Sequence, residues 1–104
     1  MQSSISREEL IDAAKEFGTP LYIYHAEKIK EQLADLNNAF KDCNARFFYA
    51  CKALTNLNIL KLMHQLGTGI DCVSIYEVKL ALKAGFDPSG ILYTPNCVDF
   101  EEIE

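Results

Sequence analysis

The sequence predicts an α/β fold in which parallel strands alternate with helices, the N-terminal part of a (β/α)8 barrel. Three observations carry that expectation. From Phe47 onward, three short apolar runs (47–51, 70–73 and 91–93) begin about 22 residues apart, a compact spacing for βα repeats. Each run is nearly all apolar, as in strands of a parallel sheet covered on both faces. The 104-residue chain closes on Asp99-Phe100-Glu101-Glu102, a helix start without a helix body. A complete barrel needs about 250 residues, and three parallel strands alone leave unpaired edges. An incomplete barrel is therefore expected ahead of the alternative, a finished small domain with an acidic tail.

The elements follow in order. Ser6-Arg7-Glu8-Glu9 is a capping-box pattern opening a helix with Leu10, Ile11, Ala14 and Phe17 on its apolar face. Gly18-Thr19-Pro20 ends it, and residues 21–24 read as a short strand. Residues 1–24 are thus expected to be a helix-and-strand section ahead of barrel units in 25–104. Ala26, Ile29, Leu33, Leu36 and Phe40 then recur at spacings of 3, 4, 3 and 4, an amphipathic helix opened by His25, for which no partner is visible. The first apolar strand, 47–51, leads through caps at Thr55 and Asn56 to a helix carrying Leu57, Leu60, Met63 and Leu66, closed by Gly67. The second, 70–73, leads through Ser74-Ile75-Tyr76-Glu77, again a capping-box pattern, to a helix with Val78 and Leu82, closed by Gly85. The third, 91–93, runs through Thr94-Pro95-Asn96 to the last helix start.

Composition narrows the function. A net charge of −5 with ten scattered basic residues argues against nucleic-acid and anionic-membrane partners. Hydrophobic content of 49% and charged content of 24% suit a globular protein, and no stretch approaches the roughly 20 apolar residues of a membrane span. The first six residues show neither a basic nor an apolar leader region, so a cytoplasmic location is expected. Cys43, Cys51, Cys72 and Cys97 form no C-x-x-C pair and sit at no zinc spacing from His25 or His64, which points to free thiols and no metal. Cys51 and Cys72 are expected on neighbouring strands as small buried hydrophobes. Dinucleotide, Walker, zincin and EF-hand motifs are absent, and Gly67-Thr68-Gly69 is a weak phosphate signal.

Ligands of parallel α/β folds gather at the C-terminal ends of the strands. Here those ends supply Lys52, then Asp71 through Ser74, then Thr94 through Asn96. Lys52 is a lone charge closing an apolar strand. Desolvation there would lower its pKa and free a neutral amine able to condense with a carbonyl; the alternative is a lysine that snorkels to water. Asp71 lies within Ile70-Asp71-Cys72-Val73, where an unpaired carboxylate is expensive. It is either a structural partner for a nearby polar group or a carboxylate that shapes Lys52. Ser74 and Glu77 serve as a helix cap whether or not a ligand lies near.

Four blocks, in order, resemble one family. Phe48-Tyr49-Ala50-Cys51-Lys52-Ala53 is similar to the F/Y-Y-A-x-K-A signature of the fold-type III pyridoxal-phosphate decarboxylases. Gly69-Ile70-Asp71-Cys72-Val73-Ser74 with Glu77 resembles their G-x-D-x-x-S-x-x-E block, and Ala84-Gly85-Phe86-Asp87-Pro88 with Ile91 through Asn96 resembles the third. Phe17-Gly18-Thr19-Pro20-Leu21-Tyr22 is similar to the family's opening. The resemblance implies an alanine-racemase-like barrel followed by a C-terminal β domain, with the site completed across a homodimer. It implies pyridoxal 5′-phosphate held covalently by Lys52, with Ala50 beside its ring and Asp71 and Glu77 in the polar surroundings. The implied activity is amino-acid decarboxylation, nearest to the diaminopimelate-acting branch that yields L-lysine. Ornithine, arginine or carboxynorspermidine decarboxylation, alanine racemisation and a non-catalytic cofactor-homeostasis role are the alternatives. Two positions depart from the pattern: Leu54 where many members have Asn, and Cys97 where many have Gly. The phosphate loop, the acid facing the pyridine nitrogen and the substrate-carboxylate ligands come later in such chains, so the 104 residues alone are expected to be inactive.

Overall fold

The structure, a computed structural model, describes residues 4–104. Met1–Ser3, part of the stretch read above for a leader, lie outside the described residues. The chain forms two compact units, one ending at Asn44 and the other spanning Ala45–Glu104.

The first unit contains helices α1 (Arg7–Phe17) and α2 (Ala26–Ala39). α1 starts where the sequence places it because the capping box closes fully. Ser6 Oγ accepts from the Glu9 amide at 3.1 Å, and Glu9 Oε2 accepts from the Ser6 amide at 2.8 Å. Its expected apolar face is uncovered: no α1 residue is buried, and Leu10, Ile11 and Phe17 are exposed. α2 buries Leu33 from its apolar stripe. His25 has the partner that sequence reading missed, since its Nδ1 accepts from the Lys28 amide at 3.0 Å and caps the helix. Residues 21–24 are not a strand. A strand needs a ladder partner, no described segment pairs with them, and Tyr22 is 88% exposed.

The second unit is the expected βα repeat. β1 (Phe48–Ala50), β2 (Gly69–Cys72) and β3 (Ile91–Tyr93) form a parallel sheet in the order β1-β2-β3. Ala50 pairs with Asp71, Asp71 with Leu92, and Cys72 with Tyr93. Helices α3 (Leu57–Gln65) and α4 (Ile75–Ala84) connect the strands, and α5 (Phe100–Ile103) follows β3. Side chains alternate across a strand, so Ile70 and Cys72 point together away from Asp71. They meet the core, in which Cys51, Leu60, Ile70, Cys72 and Ala81 are all fully buried.

α4 turns a different face inward from the one its apolar residues suggest. Glu77, Ala81 and Ala84 are buried, while Leu82 is half exposed. The two alanines are small enough to bring the helix close to the sheet. Gly85 ends α4 in the left-handed region at φ 105°, a conformation glycine adopts without Cβ strain. Gly69 has a steric reason instead: a Cβ there would collide with the Phe48 ring and stand 2.9 Å from the Gly90 carbonyl. It belongs to β2. No described helix is long and apolar enough to cross a membrane.

Candidate active site at the strand ends

The site begins where β1 stops. After Ala50 the backbone leaves the sheet as a single 3-10 turn, Cys51–Ala53, and Lys52 lies at its middle. The buried setting expected for Lys52 is not found within this chain: the side chain is exposed, because the turn carries it past the last paired residue of the strand. The turn itself is held firmly. The Leu54 amide donates to the Cys51 carbonyl at 3.2 Å. The Tyr49 hydroxyl, from within β1, donates to the Leu54 carbonyl at 2.9 Å. Cys51 is fully buried beneath. Asn56 then caps α3 by accepting from the Asn58 and Ile59 amides at 2.9 and 3.4 Å. The backbone that carries the lysine is thus held by hydrogen bonds at Cys51 and Leu54.

Asp71 and Ala50 stand opposite each other in register and share one face of the sheet. Asp71 is partly exposed, and its Oδ1 accepts from Thr94 Oγ1 at 2.6 Å. The third strand end thus supplies the partner that fixes the carboxylate, so the structural reading of Asp71 is realised at the same mouth that the functional reading needs. Thr94 was grouped at this mouth by topology, while its bond to Asp71 left no sequence signal. Asn96 is exposed in the following loop, where Cys97 adopts a left-handed φ of 52°. That backbone conformation favours glycine, the residue common at this position in the resembling family.

Glu77 is buried in the first turn of α4. Ser74 Oγ accepts from the Glu77 amide at 3.3 Å and caps α4, yet Glu77 does not complete the box as Glu9 does in α1. Its carboxyl is buried on the helix-covered side of the sheet, near enough to Cys51 and Cys72 to raise both thiols. Glu77 is 8% exposed, and its Oε1 has no hydrogen-bond partner among the described residues. Burial, then the nearby Glu77 carboxyl, pushes the Cys51 thiol up to about 12 and the Cys72 thiol up to about 11. Both thiols are free, as are the exposed Cys43 and Cys97. Among the described residues no group of three or more His, Cys, Asp and Glu could hold a metal ion.

One exposed primary amine on a clamped turn, with a fixed carboxylate at the same strand ends, can capture a carbonyl compound and orient a cationic or hydroxylic partner. Sequence reading identified Lys52 and Asp71. It grouped Thr94 at the mouth as well, and gave no signal for the Tyr49–Leu54 and Thr94–Asp71 bonds that hold the site in shape.

Residues 26–104 match a family model described as the pyridoxal binding domain of pyridoxal-dependent decarboxylases. A diaminopimelate decarboxylase of Methanothermobacter thermautotrophicus is 44% identical over 96% of this chain and 24% of its own length. A crystal structure of diaminopimelate decarboxylase from Helicobacter pylori, complexed with L-lysine, superposes with a TM-score of 0.81 at 40% identity, covering 94% of this chain and 24% of that one. Lysine decarboxylase from Selenomonas ruminantium gives a TM-score of 0.84 at 26% identity over 99% of this chain and 26% of that one. The chain spans about a quarter of the length of the relatives it matches.

Proposed function

The chain belongs to the pyridoxal-dependent decarboxylases, within their pyridoxal-binding domain, and on that premise we propose that the whole protein converts meso-diaminopimelate to L-lysine and carbon dioxide. The observation that carries the reading is Lys52, an exposed amine on a turn pinned by Leu54 and Tyr49 at the end of β1. Relatives named diaminopimelate decarboxylase support the choice of substrate.

The residues present suit pyridoxal 5′-phosphate. Lys52 Nζ offers the amine that would hold the cofactor's aldehyde carbon. Ala50 contributes only a methyl group on the face it shares with Asp71, which leaves room for a flat ring over the strand end. When bound, the cofactor supplies an electron sink for the bonding pair released as the substrate carboxylate departs. The chain's own part is positional. The clamped turn restricts the volume that Nζ can reach, and the Thr94 hydroxyl fixes the Asp71 carboxylate toward cationic groups arriving at the mouth. Asp71 and Glu77 are proposed to belong to the polar surroundings of Lys52, Glu77 as a buried carboxyl at the start of α4. We further propose that residues 25–104 form the first βα units of the barrel after an N-terminal section of 1–24, that a C-terminal β domain completes the protein, and that it acts as a cytoplasmic homodimer.

The test is borohydride reduction of the complete, cofactor-loaded protein followed by peptide mapping. The label is expected on Lys52, and a Lys52→Ala protein that still fixed the cofactor would end the assignment. A second reading keeps the cofactor and changes the amino acid, favoured by the backbone likeness to a lysine decarboxylase. Release of L-lysine from meso-diaminopimelate, measured against turnover of lysine and ornithine, separates the two.

A further inference from the structure

Resting on that reading, we propose that Tyr93 and Glu102 are positioning residues whose hydrogen bond closes the loop from β3 to α5 and presents it at the mouth beside Asp71. The Tyr93 hydroxyl donates to Glu102 Oε1 at 2.6 Å, nine residues further along the chain. Other glutamates at this place in a helix do something else. Asp99 and Glu102 occupy the N-cap and third positions of α5, as Ser6 and Glu9 do in α1. In α1 the serine side chain caps and the glutamate returns to the cap amide. In α5 Asp99 makes no side-chain cap, and the Glu102 carboxyl reaches back to the strand. Nor does packing ask for the hydroxyl. Tyr93 lines the groove between α4 and α5 with Ile75, Val78, Leu82 and Ile91, where a phenylalanine ring would fill the same space. A phenol bound to a carboxylate at this length is charge-assisted, about twice as strong as a neutral pair. The same bond pushes the Tyr93 phenol up to about 12, so it stays protonated and donating at neutral pH.

The pair matters because of what the next residue does. Side chains alternate along a strand, so Tyr93 turns toward the helices and Thr94 toward the face that Asp71 occupies. Thr94 Oγ1 donates to Asp71 Oδ1 at 2.6 Å, and the Thr94 amide donates to the Cys72 carbonyl at 2.9 Å. Two successive hydroxyls thus fasten the end of β3 on opposite sides, one to the carboxylate at the mouth and one to the helix beyond the loop. Between Thr94 and α5 lie residues 95–99, with Asn96 exposed and Cys97 at a left-handed φ of 52°. Release of Glu102 frees the far end of that loop, and with it the setting of Asn96 and of the Thr94–Asp71 bond. A cationic substrate group then meets a less ordered carboxylate, which weakens binding more than it slows the chemical step.

The test uses the complete, cofactor-loaded protein and two readouts. Hydrogen exchange across residues 94–103 is read by peptide mass, and KM and kcat are measured on the amino acid that the parent decarboxylates. Tyr93→Phe removes the donor, Glu102→Met removes the acceptor, and Glu102→Gln keeps a neutral acceptor. Tyr93→Phe and Glu102→Met are each expected to speed exchange about tenfold, the lower end for a hydrogen bond to a charged group. Each should raise KM about fivefold with kcat within about twofold. Glu102→Gln should stay within about threefold of the parent in exchange and within about twofold in KM. The double variant should be no worse than the worse single one, because both remove the same bond. Urea unfolding identifies any variant that does not fold, and the remaining single variant with Glu102→Gln still decides. Exchange at the parent rate in Tyr93→Phe overturns the proposal, as does faster exchange with KM unchanged. A parent that decarboxylates no amino acid ends the functional reading and the role at the mouth with it, a result that control reports separately, while exchange still decides the bond.

Discussion

Cys51 and Cys72 show how one layer of packing separates two kinds of cysteine. Both are fully buried between the sheet and its helices, and burial followed by the Glu77 charge raises them to about 12 and about 11. Cys43 and Cys97 are exposed. The thiolate is the reactive form, so the buried pair should resist iodoacetamide in the native protein at mildly alkaline pH and react only after denaturation. Linkage gives a second consequence of the same shift. A thiol raised in the folded state stabilises the fold fully below the unfolded value of about 8.5. That contribution is lost as pH climbs through the raised values, because the unfolded chain ionises first. Urea midpoints should therefore fall between about pH 8.5 and about pH 11, beyond what a Cys51→Val, Cys72→Val protein shows. Equal alkaline slopes in the two proteins would remove the thiols from the explanation.

At the scale of elements, the helix starts offer the cleanest energetic statement. Ser74 Oγ caps α4 by accepting from the Glu77 amide, and Ser74→Ala should lower the stability of the complete protein by about 1 kcal/mol in urea unfolding. A change below a few tenths would mean that water or the rest of the barrel satisfies the Glu77 amide instead. Most helix starts, stops and strands were legible because their causes are local: Ser6, Asn56 and Ser74 accept amides from their own chain neighbours, and Gly85 supplies the left-handed end of α4. What was not legible depends on pairing at a distance. Residues 21–24 alternate like a strand, yet a strand exists only with a partner, and the described chain offers none. The inward face of α4 could not be read from apolarity because two alanines and a glutamate occupy it while Leu82 points out. The same division runs through the site. Lys52 and Asp71 announce themselves as charges in apolar runs, whereas the Thr94 bond to Asp71 spans 23 residues and needs the β2–β3 register to exist.

For the molecule as a whole, the parallel sheet of the second unit has two open sides among the described residues, one along β1 and one along β3. β3 bears Leu92, 46% exposed, and flanks a groove of about 320 Å³ walled by Val78, Leu82, Ile91 and Ile103. The first unit separately exposes Phe17 at 70% and Tyr22 at 88%. Unpaired strand edges and contiguous apolar surface both recruit further polypeptide, and about three-quarters of the relative's length lies outside the stretch these 104 residues match. In a barrel every edge is paired, so the surfaces left open here are the ones closure would consume. A polypeptide of these 104 residues should therefore associate as its concentration rises, with sedimentation coefficients that increase across a dilution series. Leu92→Lys, which places a charge on the β3 edge strand, should shift that rise to higher concentration. A single monomeric boundary at every concentration would overturn this expectation.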